Sequence, residues 1–340
     1  MYRMMAAMLI ALGAALLTGP RLIAYLRKLH FGQTIYELGP AHQKKQGTPV
    51  MGGLMIALGV VLAAIVCHPV PWRGLSDPVW PLLGVALLSM AVGFADDYIK
   101  AVKKRHDGLQ PMQKILGQVL VAAAFSVYCY ASPAVGSGIW IPVLNRVWDL
   151  GFWYIPVMTL LIIFMVNSTN LQDGLDGLLS TVTVVGGGAW AVICALLLLL
   201  PGIRELCDPA VAEVAGVVSA ALIGGCIGFL RFNRYPAKTF MGDTGSMLIG
   251  GTLVGIGMMT RMQVLLVLTC LMPIVSSFSV ILQRYYFKLT HGKRIFLMSP
   301  VHHHFEKKGY SETQIVSMYA GVTMISSLIA VLLVCAGPSA

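Results

Sequence analysis

Five carboxylates in this chain stand where charge is costly: Asp96 and Asp97 close the apolar run Leu87 to Ala95, Asp173 and Asp176 follow another, and Asp243 opens a third. A carboxylate at the edge of hydrocarbon is unfavourable and by default marks a functional site. Asp96 and Asp97 could simply end a helix at an interface. Adjacent carboxylates repel one another, however, unless a cation or a proton sits between them, so the pair suits Mg²⁺ or proton abstraction. Lys100 stands four residues after Asp96, on the same face of a helix, where it could anchor a phosphate.

The segment Asn167-Ser168-Thr169-Asn170-Leu171-Gln172-Asp173-Gly174-Leu175-Asp176-Gly177 is the densest polar stretch beside any apolar run. A helical backbone puts Asn170, Asp173 and Asp176 on one face. The glycines permit tight turns or close approach, and a helix starting here would aim N–H groups at an anion. A capping turn would need one Asp; this segment has two, with two Asn. The stretch Asn233 to Ser246 carries Phe240 and Asp243, and then enters an apolar run. Asp243 reads as a helix cap, or as one carboxylate of a metal site fed by three loops. Mg²⁺ takes one or two carboxylates with substrate phosphates and water, so the five Asp are not all expected on one ion. Pro300-Val301-His302-His303-His304-Phe305-Glu306 adds imidazoles amid Lys and Arg. Consecutive His point to different sides of a helix, which favours hydrogen bonds to phosphate or sugar oxygens over a soft-metal site.

Apolar helices must position these groups. Of 340 residues 57% are apolar and 11% charged, against roughly 25% charged in ordinary soluble domains. That balance excludes a soluble enzyme, a disordered chain and a nucleic-acid binder. Ten stretches approach the span length that a bilayer requires: about 4–25, 51–68, 79–95, 111–131, 152–168, 175–200, 211–230, 244–260, 262–287 and 313–336. None alternates as a barrel strand would. The expected fold class is an all-α polytopic membrane protein of about ten transmembrane helices, with residues 1–340 forming a single membrane domain. The ninth span is interrupted by Pro273, and Ile139–Leu150 reads as a small interfacial hairpin.

Loops after odd-numbered spans hold Arg27, Lys28, Lys44, Lys45, Lys100, Lys103, Lys104, Arg105, Arg231, Arg234, Lys238 and a basic run to Lys308. The other side has Arg3, Arg73, Arg146, Arg204 and Arg261. By the positive-inside rule the odd loops are cytoplasmic, both termini lie outside, and the clustered acids face the cytoplasm. Asp77, Asp149, Glu205, Asp208 and Glu213 then fall outside, as solvated loop charges. The seven cysteines show no metal-ligand spacing, and Cys207 is expected in an outside loop. The net charge of +10 reads as topology plus attraction for a polyanionic substrate. Without a Walker-type loop, donor phosphates must be held by metal and side chains, as phosphoryl transfer allows.

Taken in order, Lys45-Gln46-Gly47-Thr48-Pro49-Val50-Met51-Gly52-Gly53, Asp96–Asp97, Asn167 to Leu178, Asn233 to Ser246 and Pro300 to Glu306 resemble one family. It is that of the phospho-N-acetylmuramoyl-pentapeptide transferases, within the polyprenyl-phosphate N-acetylhexosamine 1-phosphate transferases. The resemblance runs through all the apolar stretches. It implies transfer of phospho-muramoyl-pentapeptide from UDP-N-acetylmuramoyl-pentapeptide to undecaprenyl phosphate, giving lipid I and UMP. It also implies Mg²⁺, the bacterial inner (plasma) membrane, peptidoglycan synthesis and a homodimer. By this resemblance Asp96 deprotonates the lipid phosphate beside an essential Asp97, and Asp243 is the Mg²⁺ ligand. Asn170, Asp173 and Phe240 line the uridine and diphosphate pocket, with Asp176 nearby. Lys45, Lys100, Lys114, Asn167, Asn233, Gln283, His302, His303 and His304 match other active-site polar positions. Val50, Gln172 and Gly108-Leu109-Gln110 depart from the family's common residues, which touches pocket detail and no charged candidate. A sister enzyme moving N-acetylglucosamine 1-phosphate is the alternative, against which His302-His303-His304-Phe305-Glu306 speaks. A transporter would place acids at mid-membrane between inverted repeats, a pattern this chain does not follow.

Overall fold

Apolar runs in hydrocarbon must satisfy their backbone polar groups internally, and helix is the solution open to them. The computed structural model describes residues 1–29, 47–69, 74–103, 108–204 and 206–337; the expected site residue Lys45 lies outside these. Helices follow as α1 (Tyr2–Lys28), α2 (Gly53–Val66), α3 (Val79–Lys103), α4 (Pro111–Ala131), α5 (Tyr154–Gln172), α6 (Leu178–Leu199) and α7 (Pro201–Arg204). Then come α8 (Pro209–Asn233), α9 (Gly242–Met259), α10 (Leu265–Thr269), α11 (Leu271–Leu289), α12 (Val301–Lys307) and α13 (Glu312–Cys335). This is an all-α polytopic membrane protein.

Among the described residues, seven helical segments are long and apolar enough to cross a membrane: α1, α3, α4, α5 with the turn before it, α6, α8 and α13. The remaining expected spans depart from that pattern. The apolar helix α2 has only 14 residues, about 21 Å of rise. α9 spends its first turn on Gly242-Asp243-Thr244-Gly245-Ser246. The ninth is two helices, α10 and α11. Their break falls at Cys270 (φ −115°, ψ 29°), not at Pro273, which sits in the first turn of α11. There a missing N–H costs no hydrogen bond.

Local signals set the helix ends. Pro111 opens α4 while Gln113 accepts from the Gln110 amide at 3.1 Å. Asp208 caps α8, accepting from Ala210 N at 2.8 Å, and Ser311 with Gln314 forms a capping box on α13. α9 is the axis of the bundle, buried at every residue from Thr244 to Met259 and packed by α3, α5 and α2. Glycine permits this approach: a Cβ on Gly53 would lie 2.2 Å from the Gly245 Cα. A second, smaller core joins Leu175, Leu178, Val182, Met272, Val301, Ile315 and Tyr319 around α12.

The expected hairpin is present, β1 (Gly138–Ile141) pairing antiparallel with β2 (Arg146–Asp149). Ile139 and Trp140 of β1 are buried, whereas all of β2 is exposed. Asp77 corrects the reading of the outer acids as solvated. It is 2% exposed, its Oδ1 lies 2.8 Å from His68 Nε2 and accepts from Val79 N at the start of α3. All seven cysteines are free thiols; Cys207 is buried in its loop and Cys335 is exposed.

Candidate active site

Four helix ends meet at one end of the bundle. α3 brings Asp96, Asp97 and Lys100 in its last two turns, α4 brings Lys114 in its first, α5 brings Asn170, and α9 begins with Asp243. Ligand oxygens of Asp96, Asp97 and Asp243 all lie within 4.8 Å of one another. Like charges this close would drive the helices apart without compensation, and two lysines supply it. Lys100 Nζ lies 2.5 Å from Asp96 Oδ2 and 3.4 Å from Asp243 Oδ2. Lys114 Nζ lies 2.6 Å from Asp243 Oδ2 and 4.0 Å from Asp96 Oδ2. On the other side, Asn170 Nδ2 donates to Asp243 Oδ1 at 2.7 Å and to Ser246 Oγ at 2.9 Å.

The three acids are not equivalent. Asp96 accepts from the Leu109 amide at 2.9 Å, and a side chain on Gly108 would collide with its carboxylate. Asp97 points back into the protein, where it receives Asp243 N, Thr244 N and Thr244 Oγ1. Asp243 alone is turned toward both lysines and Asn170. A divalent cation fits this donor set: hard oxygens from different helices beside replaceable ammonium groups. Asp243 is the carboxylate best placed to hold it, since its oxygens meet only exchangeable side chains, whereas those of Asp97 are engaged by the first turn of α9.

Asp173 lies in the α5–α6 turn beside this cluster. Burial, with the charges of Asp243, Asp97 and Asp176 behind it, pushes its carboxyl up to about 8. His302 is fully buried, with Nε2 against Gly174. Burial, and secondarily His303, holds its imidazole well below the usual range, so it is neutral. Phe240 is half-buried. Its amide donates to Pro49 O and its carbonyl accepts from Gly52 N, each at 2.8 Å, so its loop is fixed to the start of α2.

Other expected site residues are engaged by neighbouring backbone or side chains. Asn167 exchanges hydrogen bonds with Gln118 across α4 and α5, the shorter being 2.8 Å. Asp176 accepts from Ala237 N at 2.9 Å. Asn233 accepts from Gly177 N and donates to Thr239 O. Gln283 clamps the loop after α11, accepting from Ile295 N and Phe296 N and donating to Phe296 O. His303 Nδ1 meets Glu306 Oε2 at 2.5 Å, and His304 Nδ1 accepts from Leu297 N at 3.0 Å. These side chains hold three loops around the carboxylates. Sequence reasoning missed Thr244, Ser246 and the Leu109 amide, which only the meeting of α3, the start of α4, α5 and α9 reveals.

A family model for glycosyl transferase family 4 matches residues 79–261, which contain the whole carboxylate cluster. The phospho-N-acetylmuramoyl-pentapeptide-transferase of Heliobacterium modesticaldum is 40% identical over 338 residues, covering 98% of each chain. The enzyme of the same name from Bacillus subtilis is 40% identical over 319 residues, 93% of each chain. That of Thermoanaerobacter pseudethanolicus is 41% identical over 322 residues, 94% of this chain and 95% of the other. With likeness of this extent laid over the helices that build the cluster, the chain belongs to glycosyl transferase family 4, among its phospho-N-acetylmuramoyl-pentapeptide-transferases.

Proposed function

We propose that this membrane enzyme transfers phospho-N-acetylmuramoyl-pentapeptide from UDP-N-acetylmuramoyl-pentapeptide to undecaprenyl phosphate, releasing UMP and forming lipid I. The observation that carries the reading is the convergence of Asp96, Asp243, Lys100, Lys114 and Asn170 from four helix ends. Phosphoryl transfer needs positioned charge more than covalent assistance, and this cluster supplies it. A bound Mg²⁺, held by Asp243, would neutralise the donor diphosphate and orient it.

In this reading an oxygen of the lipid phosphate attacks the β-phosphorus of the donor. A new P–O bond forms, the bond to the bridging oxygen breaks, and UMP departs. Lys100 and Lys114 leave the carboxylates to pair with phosphate oxygens. Asp96, held by Leu109 N, accepts the proton when the lipid phosphate arrives protonated. Asp243 is engaged by two ammonium groups and an amide, which favours a clamp over a nucleophile. The Phe240 ring is available to stack on uracil. Asp173 stands beside this cluster, with His302 packed against Gly174 and His303 and His304 following it on α12.

The basic loops gather at the catalytic end, which supports a cytoplasmic active-site face in the bacterial plasma membrane. Residues 1–340 then act as one membrane domain, working as a homodimer. The test is Mg²⁺-dependent UMP release from UDP-muramoyl-pentapeptide and undecaprenyl phosphate in detergent, with UDP-N-acetylglucosamine as competing donor. Preference for the second donor overturns the assignment. Labelled phosphosugar trapped on the protein before lipid is added would sink direct attack.

A further inference from the structure

Asp97 is 4% exposed, and its hydrogen bonds come from two backbone amides and one hydroxyl at the start of a neighbouring helix. Oδ1 accepts from Asp243 N at 3.2 Å; Oδ2 accepts from Thr244 N at 2.8 Å and Thr244 Oγ1 at 2.6 Å. α9 has no side-chain cap of its own, because its N-cap position is Met241. The orphan amides of its first turn are therefore met by a carboxylate delivered from α3. Such charge-assisted bonds at a helix N-terminus are the strong kind.

Two glycines make room for the contact. Gly242 has φ +73°, and a Cβ there would lie 2.4 Å from Asp97 Oδ2. A Cβ on Gly93, one turn before Asp97 on α3, would lie 2.2 Å from the Asp243 carbonyl oxygen. Meanwhile the Asp243 side chain is held by Lys100, Lys114 and Asn170. The backbone of Asp243 is thus fixed by one carboxylate while its own carboxylate faces the reaction.

We infer that Asp97 and Thr244 form a latch between α3 and α9 whose task is to position Asp243, Asp97 being neither a metal ligand nor a base. The inference rests on the reading of Asp243 as the divalent-cation ligand. Losing the latch lets the first turn of α9 fray, so Asp243 samples other positions and the cation is held less tightly. Chemistry at saturating cation persists, because Asp96 and the lysines are untouched.

The experiment uses the full-length detergent-solubilised enzyme with Mn²⁺ as the probe, read by electron paramagnetic resonance. Thr244→Val keeps side-chain volume and removes the hydroxyl; Thr244→Ser restores it. Thr244→Val is expected to weaken Mn²⁺ binding about tenfold, the scale of one hydrogen bond to a charged group, with kcat at saturating metal within about threefold of wild type. Thr244→Ser should recover wild-type affinity. Amide hydrogen exchange at residues 243–244 should rise in Thr244→Val and in Asp97→Asn, and return to normal in Thr244→Ser. Wild-type Mn²⁺ affinity together with unchanged exchange in Thr244→Val overturns the latch. So does loss of kcat at every metal concentration in Asp97→Asn with exchange unaltered, since that identifies a reacting group. Should the wild type bind no Mn²⁺, the metal reading of Asp243 falls and the exchange measurement alone decides the latch.

Discussion

α3 carries a buried acid at each end, and the two have different company. Asp77, just before its first turn, is paired with His68 and caps Val79. Asp96 and Asp97, in its last turns, meet Lys100 of the same helix and a third carboxylate, a second lysine and an amide drawn from three other helices. The remaining described acids at the Asp77 end each have partners without a second acid among them: Asp208 caps α8, Asp149 accepts from Ser137 and Gly151, and Glu213 pairs with Arg3. Burial of an acid therefore does not distinguish chemistry from architecture here. Convergence does, because like charges gathered from separate helices are unfavourable unless cations compensate them, as Lys100 and Lys114 do here.

The contrast is sharpest under substitution. Asp243→Asn should lower UMP release by about a thousandfold or more, the scale of losing a central electrostatic group, with little change in melting temperature; near-normal turnover refutes its role. Asp96→Asn should cost about a hundredfold or more in kcat as a lost proton acceptor, measurable as a changed pH–rate profile. Asp77→Ala should do the reverse. Truncating one member of a buried pair leaves the other unsatisfied, at about 3 kcal/mol, so thermal stability in detergent falls while kcat of the folded enzyme holds. If Asp77→Ala instead removes activity at full stability, the distinction between the two ends of α3 collapses.

A smaller effect separates Asp173 from both. Its raised carboxyl favours the protonated form in the folded protein, so its contribution is complete below the unfolded value, about 3.9. That contribution is lost as pH rises through about 8. Melting temperature should decline across this window more steeply in the wild type than in Asp173→Asn; equal slopes contradict the assignment. The smallest effect belongs to Arg3→Ala at the Arg3–Glu213 pair, whose partners are 25% and 35% exposed. It should cost no more than about 1 kcal/mol, read from the same melts.

Sequence made the membrane class and the placing of acids at the ends of apolar runs legible because both rest on one-dimensional signals, apolar length and charge placement. Asp96–Lys100 was readable as an i, i+4 pair, and the structure forms it. The division of labour among the acids was not. Whether Asp97 faces substrate or the start of α9 depends on which helix packs on α3, which no spacing encodes. The same holds for Asn233, Asp176 and Gln283, whose polar groups looked available until neighbouring loop amides were seen to meet them. The ninth span misled for a local reason: Pro273 is a visible breaker, but it is tolerated in a first turn, so the interruption moved upstream to Cys270.

The burial of α9 from Thr244 to Met259 has a consequence in time as well as in space. A helix walled in by α2, α3 and α5 opens only when much of the bundle does, so its interior amides should be among the slowest in the molecule to exchange. Asp243 stands on that slow element. His302, packed against Gly174, belongs to α12, seven residues joined to α11 by a largely exposed loop. Adjustments to an incoming donor should then be carried by the α11–α12 side, on the timescale of loops, while the carboxylate beneath keeps still.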